Sequence, residues 1–102
     1  MQIREFQKLI EDIYGRRDRA RGVAGNFMWL IEEVGELAQA ARKGDHAEIE
    51  NEFADVLAWT VTIANILGVD VEKAAKSKYG SGCPRCGKIP CECLQSTIPG
   101  VP

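Results

Sequence analysis

Glu33, Glu36, Glu52 and Asp55 are the residues of this chain whose types and spacing could do chemistry together. Within each pair the acids stand three apart, which on a helix puts both on one face. If the segments flanking Gly44 and Asp45 form an antiparallel hairpin, residues whose numbers sum to 88 lie opposite each other. Glu36 then faces Glu52, Glu33 faces Asp55, and one level further on Trp29 faces Trp59. Anions crowded this closely repel one another and hold their protons unless something neutralises them. A hard divalent cation bound through oxygens is the natural neutraliser, and Mg2+ is the usual choice where phosphates are the substrate. The competing reading is a solvated acidic face, since structural charge networks also crowd acids.

The elements that must position these acids are helices. Residues 1–15 read as a first helix with Ile3, Phe6, Ile10 and Ile13 on one stripe and Gly15 near its end. Residues 16–25 read as a basic connection containing Arg16, Arg17, Arg19 and Arg21. A second helix is expected from about Asn26, a candidate N-cap, to Lys43, where Gly44 stops it. A third runs from Asp45 or His46 to Leu67 before Gly68, and a short fourth from Asp70 to Lys78 or Tyr79. The main apolar stripes are Phe27, Leu30, Ile31, Val34 and Leu37 on the second helix, and Phe53, Val56, Leu57, Val61 and Ala64 on the third. The acids lie off these stripes, on a second seam: Glu48, Glu52, Asp55, Trp59, Thr62 and Ile66 with heptad-like spacing on the third helix, and a matching Asn26, Trp29, Glu33, Glu36 and Ala40 on the second. A seam that runs from acids into Trp59 and Ile66 describes a cleft floor better than a solvated face. Its Trp59 side needs a covering partner, which predicts oligomers.

The stretch Glu32-Glu33-Val34-Gly35-Glu36-Leu37, followed after fourteen residues by Glu52-Phe53-Ala54-Asp55-Val56, resembles the paired acidic signature of MazG-like nucleoside triphosphate pyrophosphohydrolases. The likeness covers roughly residues 1–79 and includes the Leu67-Gly68-Val69-Asp70 turn. It implies an all-α, four-helix bundle that forms a homodimer or homotetramer. It implies Glu33, Glu36, Glu52 and Asp55 as Mg2+ ligands, and cleavage of a nucleoside triphosphate between the α- and β-phosphates. Glu32 would complete the metal shell or accept the attacking water's proton; the alternative is an exposed helix acid.

Phosphates also need cations. Arg16, Arg17, Arg19 and Arg21 in the basic connection, and Lys73, Lys76 and Lys78 on the fourth helix, are candidates, in either group against the alternative of solvated surface charge. Trp29 and Trp59 are candidates to stack on a base, or else core aromatics. Asn65 either reads a base edge or sits as a buried, satisfied amide.

All four cysteines, Cys83, Cys86, Cys91 and Cys93, fall within eleven residues. The Cys83-Pro84-Arg85-Cys86-Gly87 run has the form of a zinc-ribbon knuckle, and Cys91-x-Cys93 supplies two more thiols for a candidate structural Zn2+ site. Disulfides or free thiols are the alternatives. Residues 80–93 are thus expected as a knuckle and 94–102 as a flexible tail.

The bulk numbers bound the rest. A chain of 102 residues makes one small domain, and 27% charged residues with 45% hydrophobic ones read as globular. The net charge of −2 argues against nucleic acid as a general partner. No apolar run reaches a membrane span of about 20 residues. Met1-Gln2-Ile3-Arg4-Glu5 lacks a signal-peptide core, which with the clustered cysteines predicts a cytoplasmic protein. A di-iron carboxylate bundle needs Glu-x-x-His pairs, whereas the sole histidine is His46 and residue 43 is lysine. A nucleic-acid-binding or interaction module that uses the knuckle, with the bundle as a dimerisation platform, is the functional alternative.

Overall fold

The computed structural model describes residues 1–94, so the expected tail lies outside the described residues apart from Leu94. Among the described residues three helices follow one another: α1 (Ile3–Lys43), α2 (His46–Leu67) and α3 (Val71–Tyr79). No strand occurs among the described residues. The chain divides into two compact units, Met1–Val71 and a second that begins at Glu72 and takes in most of α3. No single helix among the described residues is long and apolar enough to cross a membrane.

The expected loop over residues 16–25 is helical, so three helices stand where four were anticipated. Arginine and alanine are strong helix formers, and neither Gly15 nor Gly25 takes a positive φ. Gly15 instead gives room. A Cβ there would lie 2.7 Å from Glu11 Oε1, and Arg19 reaches Glu11 across the glycine. Only Gly22 leaves the helix, at φ 83° and ψ 167°, a conformation that a side chain makes costly. It divides α1 into an N-terminal arm and a C-terminal arm.

Asn26, anticipated as an N-cap, lies inside the C-terminal arm and staples this break. Its side-chain Nδ2 donates to the carbonyls of Asp18 and Gly22 at 2.9 Å each. Where a helix breaks, carbonyls on its N-terminal side lose their partners four residues on; the Asn26 amide replaces one of them. Arg21 Nη1 completes the staple by donating to Asn26 Oδ1 at 2.6 Å and to Asp18 Oδ1 at 3.0 Å.

The hairpin between α1 and α2 forms where the sequence placed it. Gly44 takes the left-handed cap conformation, and Asp45 accepts from the amides of Ala47 and Glu48 at 3.1 and 3.4 Å. The N-terminal arm packs on the last turns of α2. Gln7 Nε2 donates to Asn65 Oδ1 at 3.0 Å and to the Val69 carbonyl at 2.7 Å, while Asn65 Nδ2 donates back to the Gln7 carbonyl at 3.1 Å. Thr62 Oγ1 donates to Asp18 Oδ2 at 3.2 Å. Among the described residues the buried apolar set is small: Ile10, Ala40, Val61, Ile63 and Ala64.

The exposed apolar surface lies elsewhere than anticipated. Trp59 is partly covered because Trp29 stacks on it. Much of the main apolar stripe faces outward instead: Phe27, Ile31 and Val34 on α1, with Phe53 and Leu57 on α2, are 43–69% exposed. The acidic and aromatic seam occupies the α1–α2 contact, which turns these apolar residues away from it.

Candidate active site

The hairpin register brings the acids of the two helices together. Glu33 and Glu36 come from α1 and Glu52 from α2, and one carboxylate oxygen from each lies within 4.8 Å of the other two. Asp55, a turn along from Glu52, falls outside that trio. Its charge still acts on Glu33, and the two line one cleft. Glu32 is exposed and is not one of the trio.

Two oxygens of the cluster, Glu33 Oε2 and Glu52 Oε2, are buried without a hydrogen-bond partner. Burial of bare carboxylate oxygens is unfavourable unless a proton or a cation meets them. Glu33 accordingly has its pKa pushed up to about 7: burial contributes most, then the close approach of the Glu52 carboxyl, then the charges of Glu36 and Asp55. In the absence of a cation, that extra proton relieves the repulsion. The donor set is all carboxylate oxygen, which suits a hard cation such as Mg2+.

A cleft of about 550 Å³ has Glu33, Asp55, Trp59, Arg17, Asp18 and Arg21 in its lining. Trp29 and Trp59 stack with centroids 5.8 Å apart and planes 10° from parallel. The Arg21 guanidinium lies 5.0 Å from the Trp59 ring centroid, a favourable cation–π geometry. Arg21 thus links the staple at Gly22 to the aromatic pair. The sequence singled out the arginines as a group but gave no reason to separate Arg21. Asp18 was missed as well, because its partners lie three, eight and forty-four positions away.

Asn65 has both ends of its amide engaged with Gln7, in a shallower recess that Arg4, Lys8 and Asp70 also line. Lys73, Lys76 and Lys78 are exposed on α3, with Lys78 Nζ 5.4 Å from the Tyr79 ring centroid.

Residues 22–86 match the MazG nucleotide pyrophosphohydrolase domain, well over half of the chain and all four acids included. A relative from Cyanophage S-2L, named dATP/dGTP diphosphohydrolase, is 41% identical over 61 residues, which is 60% of this chain and 52% of that protein. The matched segment therefore spans about half the length of the relative.

Proposed function

The chain belongs to the MazG nucleotide pyrophosphohydrolase family, and we propose that it is a Mg2+-dependent hydrolase of nucleoside or deoxynucleoside triphosphates. Water cleaves the bond between the α- and β-phosphates, giving a nucleoside monophosphate and pyrophosphate. The observation that carries this reading is the convergence of Glu33, Glu36 and Glu52 with two buried, unpartnered oxygens among them.

Glu33, Glu36 and Glu52 hold the cation, with Asp55 beside them. When bound, Mg2+ offsets the phosphates' charge, orients their oxygens and lowers the pKa of water. The side chains do the rest. Arg21, fixed by Asp18 and Asn26, and Arg17 on the same cleft wall receive the negative charge of the polyphosphate. Glu32, one helical turn before Glu36, accepts the proton from the attacking water. The Trp29–Trp59 pair offers a flat apolar surface for a base.

The name of the phage relative refers to dATP and dGTP, so purine deoxynucleoside triphosphates head the list of substrates, and clearing unwanted nucleotides from the pool is a fitting role. The reaction needs a compartment that supplies triphosphates, namely the cytoplasm. A second copy of the chain covers the apolar face, giving a homodimer or homotetramer. The test is a panel of ordinary and modified triphosphates incubated with the chain and Mg2+. Stoichiometric monophosphate and pyrophosphate that vanish on chelation support the reading. Release of inorganic phosphate, or turnover indifferent to chelation, would sink it.

A further inference from the structure

The second unit contains no buried residue from Glu72 to Leu94. Tyr79, Ile89 and Leu94 are 58%, 83% and 96% exposed. A segment without an apolar core needs a staple of another kind, and its cysteines are arranged as one.

Cys83, Cys86, Cys91 and Cys93 carry free thiols, and one sulfur from each lies within 4.8 Å of all the others. Cys83 Sγ stands 3.7 Å from Cys93 Sγ, and Cys86 Sγ 3.9 Å from Cys91 Sγ. A tetrahedron with Zn–S bonds of about 2.3 Å has sulfur–sulfur edges of about 3.8 Å. Disulfide bonding requires about 2.05 Å. The separations are those of a cage around one metal ion.

The backbone is set for charged sulfur. The Gly87 amide donates to the Cys83 carbonyl at 2.7 Å and the Cys83 amide to the Lys88 carbonyl at 3.1 Å, closing a tight turn. Gly87 sits at φ 72°, which favours glycine. Amides then point at the sulfurs: Glu92 at Cys86 Sγ and Cys93 at Cys91 Sγ, both at 3.3 Å. The Cys86 and Arg85 amides bring the Cys83 thiol down to about 6. The neighbouring thiols of Cys91, Cys83 and Cys86 push Cys93 up to about 12. Lys78, Arg85 and Lys88 line the cavity that Cys83 and Cys91 also border, where they offset the double negative charge of a divalent ion with four thiolates.

We propose that Cys83, Cys86, Cys91 and Cys93 hold one Zn2+ in a closed tetrathiolate site that folds the C-terminal unit. Each thiol still protonated passes its proton to solvent as the ion binds, and nothing is oxidised or reduced. Four sulfur ligands leave no open position, so the site is structural.

The test is elemental analysis of the full chain, produced with Zn2+ under reducing conditions and passed through gel filtration. The expected result is about one zinc per chain, falling to none in Cys86→Ser/Cys91→Ser. The Co2+-substituted chain should show the visible bands of tetrahedral cobalt thiolate. Wild-type chain without zinc, iron in its place, or unchanged zinc in the double variant would overturn the proposal. Wild-type metal content decides the matter even if the variant folds poorly. The readout is metal rather than turnover, so this site and the hydrolase reading can fail separately.

Discussion

Glu33 is the carboxylate that most needs a cation. Its ordinary value of 4.5 rises to about 7 in the folded chain, so between those values the native state binds a proton that the unfolded chain releases. Stability of the metal-free protein therefore falls as pH rises through that window. Glu33→Gln should stabilise it by about 1 kcal/mol at pH 8, after allowance for solvent screening, and by nothing at pH 4. Urea unfolding at both pH values, without metal, checks this; an equal change at both would contradict it. Loss of a ligand should act on turnover instead. Glu36→Gln or Asp55→Asn should lower it by roughly 100-fold or more at unchanged helicity, in a Mg2+-dependent pyrophosphate assay, whereas near-normal turnover would remove these acids from the site. The convergence of Glu33, Glu36 and Glu52 was legible in the sequence because three-residue spacing and a hairpin register are local geometry. Arg21, Asp18 and Asn26 were not, since Asn26 looks like a cap until the helix is seen to run on either side of Gly22.

At the scale of elements, the break in α1 is what brings Arg21 beside Trp59. Asn26 is 0% exposed and serves three partners at once: the Asp18 carbonyl, the Gly22 carbonyl and Arg21. Asn26→Ala strands buried polar groups and should cost roughly 2–3 kcal/mol in urea unfolding. Gly22→Ala meets no steric obstacle within 4 Å and should cost about 1–3 kcal/mol through backbone conformation alone. Equal stability of both variants and wild type would mean the break is not held in this way. The hairpin was readable because Gly44 and Asp45 carry its cap chemistry on their own. The extent of α1 was not, because glycine marks a helix end only where φ turns positive, and composition does not distinguish Gly15 or Gly25 from Gly22.

For the molecule as a whole, the unmet requirement is a cover for Phe27, Ile31, Val34, Phe53 and Leu57. These exposed apolar residues are where the proposed second copy of the chain would dock. The periodicity showed that these residues share faces. It did not show that the acidic seam occupies the contact between α1 and α2, which leaves these faces outward. Phe53→Glu, on a residue 60% exposed in the single chain, should shift the protein to monomer in light scattering coupled to gel filtration. An unchanged mass would place the interface elsewhere.

In the proposed enzyme α1 and α2 present one oxygen cage to a divalent cation. The most direct test is anomalous diffraction from crystals grown with Mn2+, as a Mg2+ surrogate, and a non-hydrolysable triphosphate. A metal peak is expected among Glu33, Glu36 and Glu52, with the polyphosphate reaching it from the cleft of Arg17 and Arg21. Nucleotide bound with the three carboxylates turned apart and no ion between them would contradict it.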